Sequence, residues 1–309
     1  MNSFALWFNA DEINKIDLEA DVHFNLWNLH DKLSGPPCLD VGIKIKKMQI
    51  CDAVNFYIPF TIDENNIRDL GSTLSSSEIL CCVFNEDYTI AREGNNKLSK
   101  VVNEKQESIM FIYSLDIKND VDIEHKYGGT LIKIPISKSM KKAEDTLYFR
   151  FRIISEKFNQ IIKKYRPKNI FLQSANSVTE AIDFRFNDYR SLNSTLLEQI
   201  RNGLSYKIKK VHFLLVVEAD VEILFMSSLA VARELETKIW NEYFNSLVNK
   251  NVVAYHWKFK QEDDNKLIEN CIMFLKTRVH ECNWKTIIIY LLTISLLALI
   301  HSWAAKKLF

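Results

Sequence analysis

Three carboxylates, Glu218, Asp220 and Glu222, come directly after the apolar run VHFLLVV at residues 211–217. Carboxylates at the carboxyl end of a buried strand can hold a divalent metal or act as general bases. These residues are therefore the candidate catalytic group of a metal-dependent phosphodiesterase or nuclease. The simpler interpretation, which we favour, is that Asp220 caps a following helix and Glu222 lies in the first turn of that helix.

Arginines form a second candidate site, for an anionic ligand. Arg150 and Arg152 alternate within TLYFRFRII, and Asp183 and Arg185 alternate within AIDFRFNDYR, so each pair lies on one face of its strand. If the two strands are neighbours, three guanidiniums share a surface that could hold a phosphate through bidentate contacts. Solvated strand faces also carry such residues, and this is the plainer interpretation.

Other chemistries have no motif in the sequence. The seven histidines and six cysteines include no H-E-x-x-H or C-x-x-C pattern, and there is no G-x-S-x-G, phosphate-binding loop or G-x-G-x-x-G. We predict no metal site and no cofactor. His212 and His256 lie in apolar strands and are expected to be core histidines, and the cysteines are expected to be free thiols in a reducing cytoplasm.

The charge balance limits the partners. Forty basic and 39 acidic residues give a net charge of +1, which does not support general binding to nucleic acid or to an anionic membrane. Local clusters would allow either one, if they share a face toward the bilayer or line a groove. Scattered, solvated lysines are the default interpretation. The clusters are Lys44, Lys46 and Lys47; Lys138, Lys141 and Lys142; Lys163, Lys164, Arg166 and Lys168; and Lys207, Lys209 and Lys210.

The elements that must position these residues belong to a mixed body. Short β-branched and aromatic runs, including ILCCVF, predict a β-rich domain over residues 1–140. Alternating strand and helix patterns predict an α/β domain over 141–262, with a long helix from Val221 to Val248. The predicted fold class is α+β (mixed α/β), with a single C-terminal transmembrane helix in addition.

The strongest pattern is TIIIYLLTISLLALIHSWAA at residues 286–305, which contains no formal charge. At about 1.5 Å per residue, a helix of this length covers about 30 Å, the thickness of a bilayer core. Trp284 and Trp303 fall near its ends, where interfacial aromatic residues sit, and the lysines Lys285, Lys306 and Lys307 flank it. We predict a tail anchor with the body in the cytoplasm, since residues 1–14 show no signal-peptide pattern.

Two features near the anchor suggest how it works. Residues 263–285 repeat apolar side chains at spacings of three and four, which predicts an amphipathic stalk helix. Small residues recur on one face of the span and would allow close helix contact and self-association. These residues are Ser295, Ala298, Ser302 and Ala305.

From this plan we expect a tail-anchored protein whose body senses or binds a partner or ligand and acts through the membrane helix. Such a plan would suit a bacterial membrane-acting effector or an antiviral defence component. The alternatives are a membrane-tethered phosphodiesterase or nuclease and a membrane-localised scaffold. The expected partners are the bilayer and either a protein or a second copy of the chain.

Overall fold

Two sheets are the main elements of the protein. The structure is a computed structural model. It describes residues 3–10, 18–30, 35–91, 97–142, 146–166, 177–203, 206–244, 251–260, 268–280 and 284–308. The strands in these ranges are β1 (Ser3–Ala10), β2 (Leu18–Trp27), β3 (Cys38–Lys46), β4 (Cys51–Ile58), β5 (Ile67–Asp69), β6 (Thr89–Ala91), β7 (Leu98–Val102), β8 (Ser108–Tyr113), β9 (Asp122–Lys126), β10 (Gly129–Pro135), β11 (Thr146–Ile154), β12 (Ile162–Tyr165), β13 (Ser177–Phe186), β14 (Tyr206–Glu218), β15 (Glu222–Met226), β16 (Val231–Glu234), β17 (Val252–Lys260) and β18 (Cys271–His280). The helices are α1 (Ser77–Phe84), α2 (Ile117–Asp120), α3 (Ser194–Gly203), α4 (Thr237–Phe244) and α5 (Trp284–Leu308).

The strands divide into an eight-stranded and a ten-stranded sheet. The first has the order β15-β18-β13-β1-β4-β10-β9, with β12 also paired to β13. The second has the order β16-β17-β14-β2-β3-β11-β8-β7-β6, with β5 also paired to β11. Most pairs are antiparallel, whereas β1 with β13, β2 with β14 and β8 with β11 are parallel. Because the sheets are mixed, strands distant in sequence become neighbours.

Aromatic side chains fill the space between the two sheets. Phe24 of the ten-stranded sheet lies 5.0 Å from Phe184 of the eight-stranded sheet, measured between ring centroids. Phe184 in turn lies 5.2 Å from Phe4 and 4.6 Å from Phe213. All four rings are completely buried. Inward-facing residues of both sheets therefore form one core, as in a β-sandwich.

The opposite face of the ten-stranded sheet carries a second, smaller core. Helices α1 and α4 contribute buried apolar residues to this core. On the sheet side, Trp27 lies 4.6 Å from Phe244 and 5.8 Å from Trp240, between ring centroids. This face, called the outer face below, is thus covered by helices at one end only.

Several predicted helices are strands in the structure, and one predicted strand is a helix. Residues 271–280 of the predicted stalk helix form β18, whose side chains alternate between buried and outward-facing positions. A spacing of four satisfies both the strand period of two and the helix period of 3.6, which explains the error. Within residues 221–248 the described part forms β15, β16 and α4, so the prediction of one long helix over this range is wrong. The run ILCCVF lies in α1.

The predicted mixture of strands and helices is confirmed in its coarse form, as a sheet-rich chain with five helices among the described residues. Each sheet combines strands from before and after residue 140. One helix, over Ile287–Lys306, is long and apolar enough to cross a membrane, with a mean hydropathy of 2.1. None of its most apolar window is buried against the rest of the chain.

Candidate functional site

Asp40 is the centre of a buried polar network on the outer face, beneath α4. Its carboxylate accepts hydrogen bonds from Trp27 Nε1 at 2.9 Å, Tyr243 Oη at 2.7 Å and Arg152 Nη2 at 2.9 Å. Burial alone would raise the pKa of Asp40, but the Arg152 guanidinium outweighs burial and holds this pKa below its usual value. Asp40 is therefore a buried anion that holds two strands and α4 together.

Arg150 adds a second buried guanidinium that Asp40 only partly neutralises. Its Nη1 donates to Tyr148 Oη at 3.1 Å, and its Nη2 lies 3.9 Å from Asp40 Oδ2. The Nε and Nη2 atoms have no hydrogen-bond partner among the described residues, although the side chain is only 1% exposed. Two guanidiniums against one carboxylate leave the network with a net positive charge.

From Arg150, two rows of polar residues run across five strands of the outer face. Phe84 of α1 packs against Tyr148 and His23 at the buried end of these rows, whereas Lys258 and Lys260 at the other end are exposed. Strand register puts the members of each row directly opposite one another. The first row is Arg150, Gly42, His23, His212 and Lys258. The second row is Tyr148, Lys44, Asp21, Lys210 and Lys260. We call these ten residues the cationic face, because they include five cations and one carboxylate.

The histidines of this face touch one another. His212 Nδ1 lies 3.0 Å from Nε2 of His256, the neighbour of Lys258 on β17, and the His23 and His212 rings are 4.9 Å apart. Burial, and then His256 and Lys258, lower the pKa of His212 to about 4. Burial, and then His212 and Arg150, lower the pKa of His23 well below its usual value. Both imidazoles are therefore neutral at pH 7 and can donate or accept hydrogen bonds.

Gly42 allows the face to form. A Cβ atom at this position would overlap the hydroxyl of Tyr148, so only glycine lets that ring lie across β3. The Tyr148 hydroxyl then lies 3.5 Å from His23 Nδ1 and accepts the hydrogen bond from Arg150. Tyr148 thus connects the buried network to the more open histidines.

A separate ionic cluster joins the two sheets at the opposite end of β14. His30 follows β2, and its two ring nitrogens lie 2.9 Å from Glu218 Oε2 and 3.0 Å from Glu180 Oε2. Asn28 Nδ2 donates to Glu180 at 2.6 Å, and Lys164 Nζ lies 3.2 Å from the other Glu180 oxygen. Burial disfavours the imidazolium, but the hydrogen bonds to Glu180 and Glu218 raise the pKa of His30 to about 9. His30 is therefore a cation clamped between two carboxylates.

A cavity of about 940 Å³ opens beside this cluster. Asn28, His30 and Lys164 contribute polar atoms to it, and Leu29 and Ile162 contribute apolar surface. The volume is in the usual range for small-molecule pockets. The lining also includes Lys163 and Glu156, so the three cations His30, Lys163 and Lys164 lie near the three carboxylates Glu156, Glu180 and Glu218. The polar wall of the cavity is therefore close to neutral.

The three carboxylates predicted as a catalytic group lie in different environments. Glu218 is buried and contacts His30, Asp220 is exposed in a turn, and Glu222 Oε2 accepts from Arg278 Nη1 at 3.1 Å. The capping interpretation of Asp220 is wrong, because the strand β15 follows it instead of a helix. In the described part of the chain, no group of three or more His, Cys, Asp or Glu residues could hold a metal ion.

The predicted arginine cluster is only half formed. Arg150 and Arg152 lie together on β11 of the ten-stranded sheet, whereas Arg185 lies on β13 of the other sheet. Arg185 Nη2 donates to Asp183 Oδ2 at 2.8 Å. The condition for three guanidiniums on one surface is therefore not met, because β11 and β13 are not neighbours.

The residues predicted to act in the membrane lie on α5. The small residues Ser295, Ala298, Ser302 and Ala305 are all exposed, and Trp303 is 62% exposed. Lys306 is also exposed. The side chains of Trp284, Lys285 and Lys307 lie outside the described part of the chain.

The sequence did not reveal Asp40 or the histidine contacts. Each of His23, His212 and His256 lies in an apolar, alternating strand, which predicts the face of its own strand but not the neighbouring strand. The parallel pairing of β2 with β14 brings together His23 and His212, which are 189 positions apart in the sequence. Lys44 and Lys210 alternate with apolar residues along their strands, and this alternation was the sequence signal for a charged strand face.

Comparisons with known proteins give no family assignment. No model of a known protein family matches the chain. No curated protein matches its sequence either. The geometry of the described residues is therefore the basis for the functional proposals.

Proposed function

We propose that this chain is a single-pass membrane protein in which α5 spans the bilayer and the sandwich binds a partner or ligand. The observation that carries the proposal is the exposure of the apolar side chains of α5. Leu292 is 65% exposed and Leu299 is 68% exposed. Soluble monomers rarely expose a continuous apolar surface of this length, whereas a bilayer would cover it.

The connection between α5 and the sandwich supports this arrangement. Only residues 281–283 separate β18 from α5, and β18 pairs with β13 over ten residue pairs. The sandwich would therefore be held close to the bilayer surface. In this proposal it lies in the cytoplasm, because the five described cysteines are free thiols, which persist in a reducing compartment.

The proposal favours binding over catalysis. Glu218 is held by His30 and Glu222 by Arg278, while Asp220 is exposed in a turn. A metal-dependent phosphodiesterase needs carboxylates that converge on one ion. The cationic face and the cavity beside His30 both offer binding surfaces without such convergence.

Alkaline carbonate extraction of vesicles that carry the full chain tests the anchor. The wild-type chain is expected in the membrane pellet, and the double substitution Ile294→Lys/Leu297→Lys is expected to move it to the supernatant. Each lysine at the centre of a span costs about 2.5–3.5 kcal/mol of insertion free energy.

The matched control is Leu229→Lys/Val231→Lys, which adds the same charges to residues of the body that are 93% and 72% exposed. This control should remain in the pellet. Recovery of the wild-type chain in the supernatant would show that α5 does not span the bilayer, and the proposal would be wrong.

A further inference from the structure

We infer that the cationic face binds a small phosphate-bearing anion. The inference rests on the ligand-binding part of the proposed function, and it uses the position of α5 only to choose between a soluble ligand and a lipid headgroup. The face consists of Tyr148, Arg150, Gly42, Lys44, Asp21, His23, Lys210, His212, Lys258 and Lys260. His256 adjoins it on β17.

The net positive charge of the face favours an anionic ligand. Lys44 and Lys210 lie on either side of Asp21, Lys260 follows Lys210 in the same row, and Lys258 lies in the neighbouring row. Arg150 lies at the far end of that neighbouring row, on β11, and is buried against Tyr148 and Tyr243. Burial lowers the pKa of Lys44; Asp21 opposes this shift, and Lys46 and Lys210 add to it. A bound anion would relieve the repulsion among these cations.

The spacing of the lysines sets the size of the ligand. Lys210 and Lys44 lie on strands that flank β2 on opposite sides, so their backbones are about 10 Å apart at about 4.8 Å per strand. Long lysine side chains can converge from this distance on two linked phosphate groups. Lys258 and Lys260 are exposed and could close on the same ligand. A diphosphate or a longer phosphorylated molecule fits better than a single phosphate.

The histidines supply neutral hydrogen-bond donors and make binding of the anion depend on pH. His23 and His212 are partly buried; His23 Nδ1 lies 3.5 Å from the Tyr148 hydroxyl, and His212 Nδ1 lies 3.0 Å from His256 Nε2. An anion at the face would favour the charged imidazolium and raise the pKa of both rings, so binding would take up protons. Binding should therefore strengthen from neutral to mildly acidic pH. The charged and titratable groups that face the histidines are Tyr148, Arg150, Lys44, Lys46, Asp21, Lys210, Lys258 and Arg233.

A soluble ligand is favoured over a lipid headgroup. The α5 connection lies at the end of the sandwich that contains Glu218, because His30 links Glu218 to Glu180 of β13, which pairs with β18. Lys210 lies eight residues earlier on β14, which corresponds to roughly 25 Å at about 3.3 Å per residue. In the arrangement proposed here, β14 runs away from the bilayer, and a headgroup of the bilayer that holds α5 would not reach Lys210.

Isothermal titration calorimetry of the full chain in detergent, with inorganic pyrophosphate as the probe, tests this inference. The wild-type chain is expected to bind, and Lys210→Gln/Lys258→Gln should weaken binding by about tenfold or more, because two charge-assisted contacts are lost. The matched control, Lys105→Gln/Lys157→Gln, removes the same charge from exposed lysines outside the face and should bind as the wild type does. His212→Gln should bind at neutral pH but lose part of the strengthening at acidic pH.

Three results would overturn the inference. The first is no heat of binding in the wild type, and the second is an equal loss in the patch and control variants. The third is tighter binding of single-stranded DNA or of anionic-lipid nanodiscs at the same lysines, which would assign the face to a polymer or to a membrane. Carbonate extraction is independent of all three results. A negative result in the calorimetric titration therefore leaves the anchor proposal intact, and a negative result in the extraction leaves the titration valid.

Discussion

At the scale of single residues, the buried charged groups of the outer face differ in the number of hydrogen bonds that they make. Asp40 receives hydrogen bonds from Trp27, Tyr243 and Arg152, whereas Arg150 has one hydrogen bond, to Tyr148. A buried ion pair stabilises a fold less than its geometry suggests, because both ions lose their hydration. The two ends of this network should therefore respond very differently to substitution.

Removing the charge of Asp40 should lower the free energy of unfolding far more than removing that of Arg150, which makes fewer hydrogen bonds. Asp40→Asn leaves two buried guanidiniums without a counter-ion and should lower the free energy of unfolding by about 3–5 kcal/mol. Arg150→Met removes a charge whose Nε and Nη2 lack partners in the described structure, and should cost less than about 1 kcal/mol or stabilise the fold. Urea unfolding of the full chain in detergent, followed by circular dichroism, measures both.

The control for this pair is Asp63→Asn, whose side chain is 76% exposed. It should change the free energy of unfolding by no more than about 0.5 kcal/mol. Equal losses in Asp40→Asn and Arg150→Met would contradict the unequal roles assigned to them.

His30 predicts how stability depends on pH. Its folded pKa of about 9 lies above the ordinary value of 6.5, so the folded state binds the proton more tightly than the unfolded state. The stabilisation is complete below pH 6.5 and is lost as the pH rises to about 9. Its upper limit is roughly 3 kcal/mol, from about 1.4 kcal/mol per pKa unit.

Unfolding experiments across this range should show a loss of stability in the wild type that is smaller in His30→Gln. Lys164→Gln keeps His30 between its two carboxylates and should retain the wild-type slope. The same slope in the wild type and in His30→Gln would show that His30 is not the titrating group.

At the scale of elements, alternation predicts strands better than the spacing of apolar residues predicts helices. The alternating runs at Thr146–Ile154 and Ser177–Phe186 are strands as expected, whereas the helices predicted over 221–248 and 263–285 contain the strands β15, β16 and β18. The error at Cys271–His280 arose because Cys271, Leu275 and Val279 repeat every four residues, which suits either period. Pairing with β13 decides between the two, and pairing is not visible in one segment.

Because β18 is a strand, neighbouring side chains should differ sharply in how much they contribute to the free energy of unfolding. Met273 is fully buried and faces the core, whereas Ile272 is 36% exposed on the other side of the strand. Met273→Ala should lower the free energy of unfolding by about 2–5 kcal/mol, and Ile272→Ala by less than about 1 kcal/mol. Urea unfolding of the two single variants provides the comparison. Similar losses at both positions would contradict the alternation of β18.

At the scale of the whole molecule, the two sheets depend on distant parts of the chain. The parallel pair β2 and β14 joins residues near position 20 to residues near position 210, and β1 pairs with β13 across a similar separation. No local pattern predicts such pairs, because either partner could pair with any strand of suitable length. For this reason the sequence could indicate individual lysines and arginines of the site, but it could not show that they assemble into the cationic face.

The shared core predicts that the sandwich unfolds as one unit. Phe24 of β2 packs against Phe56 of β4 and Phe184 of β13, so its ring contacts strands from both sides of residue 140. Phe24→Ala should lower the free energy of unfolding by about 3–5 kcal/mol. Hydrogen exchange should then show that β4, β11 and β13 lose protection together, since the cavity weakens both sheets at once. Phe225→Ala, at a ring that is 50% exposed, is the control and should leave exchange in all three strands unchanged. If β4 kept its protection while β13 opened, the chain would instead divide near residue 140 into two units that fold separately.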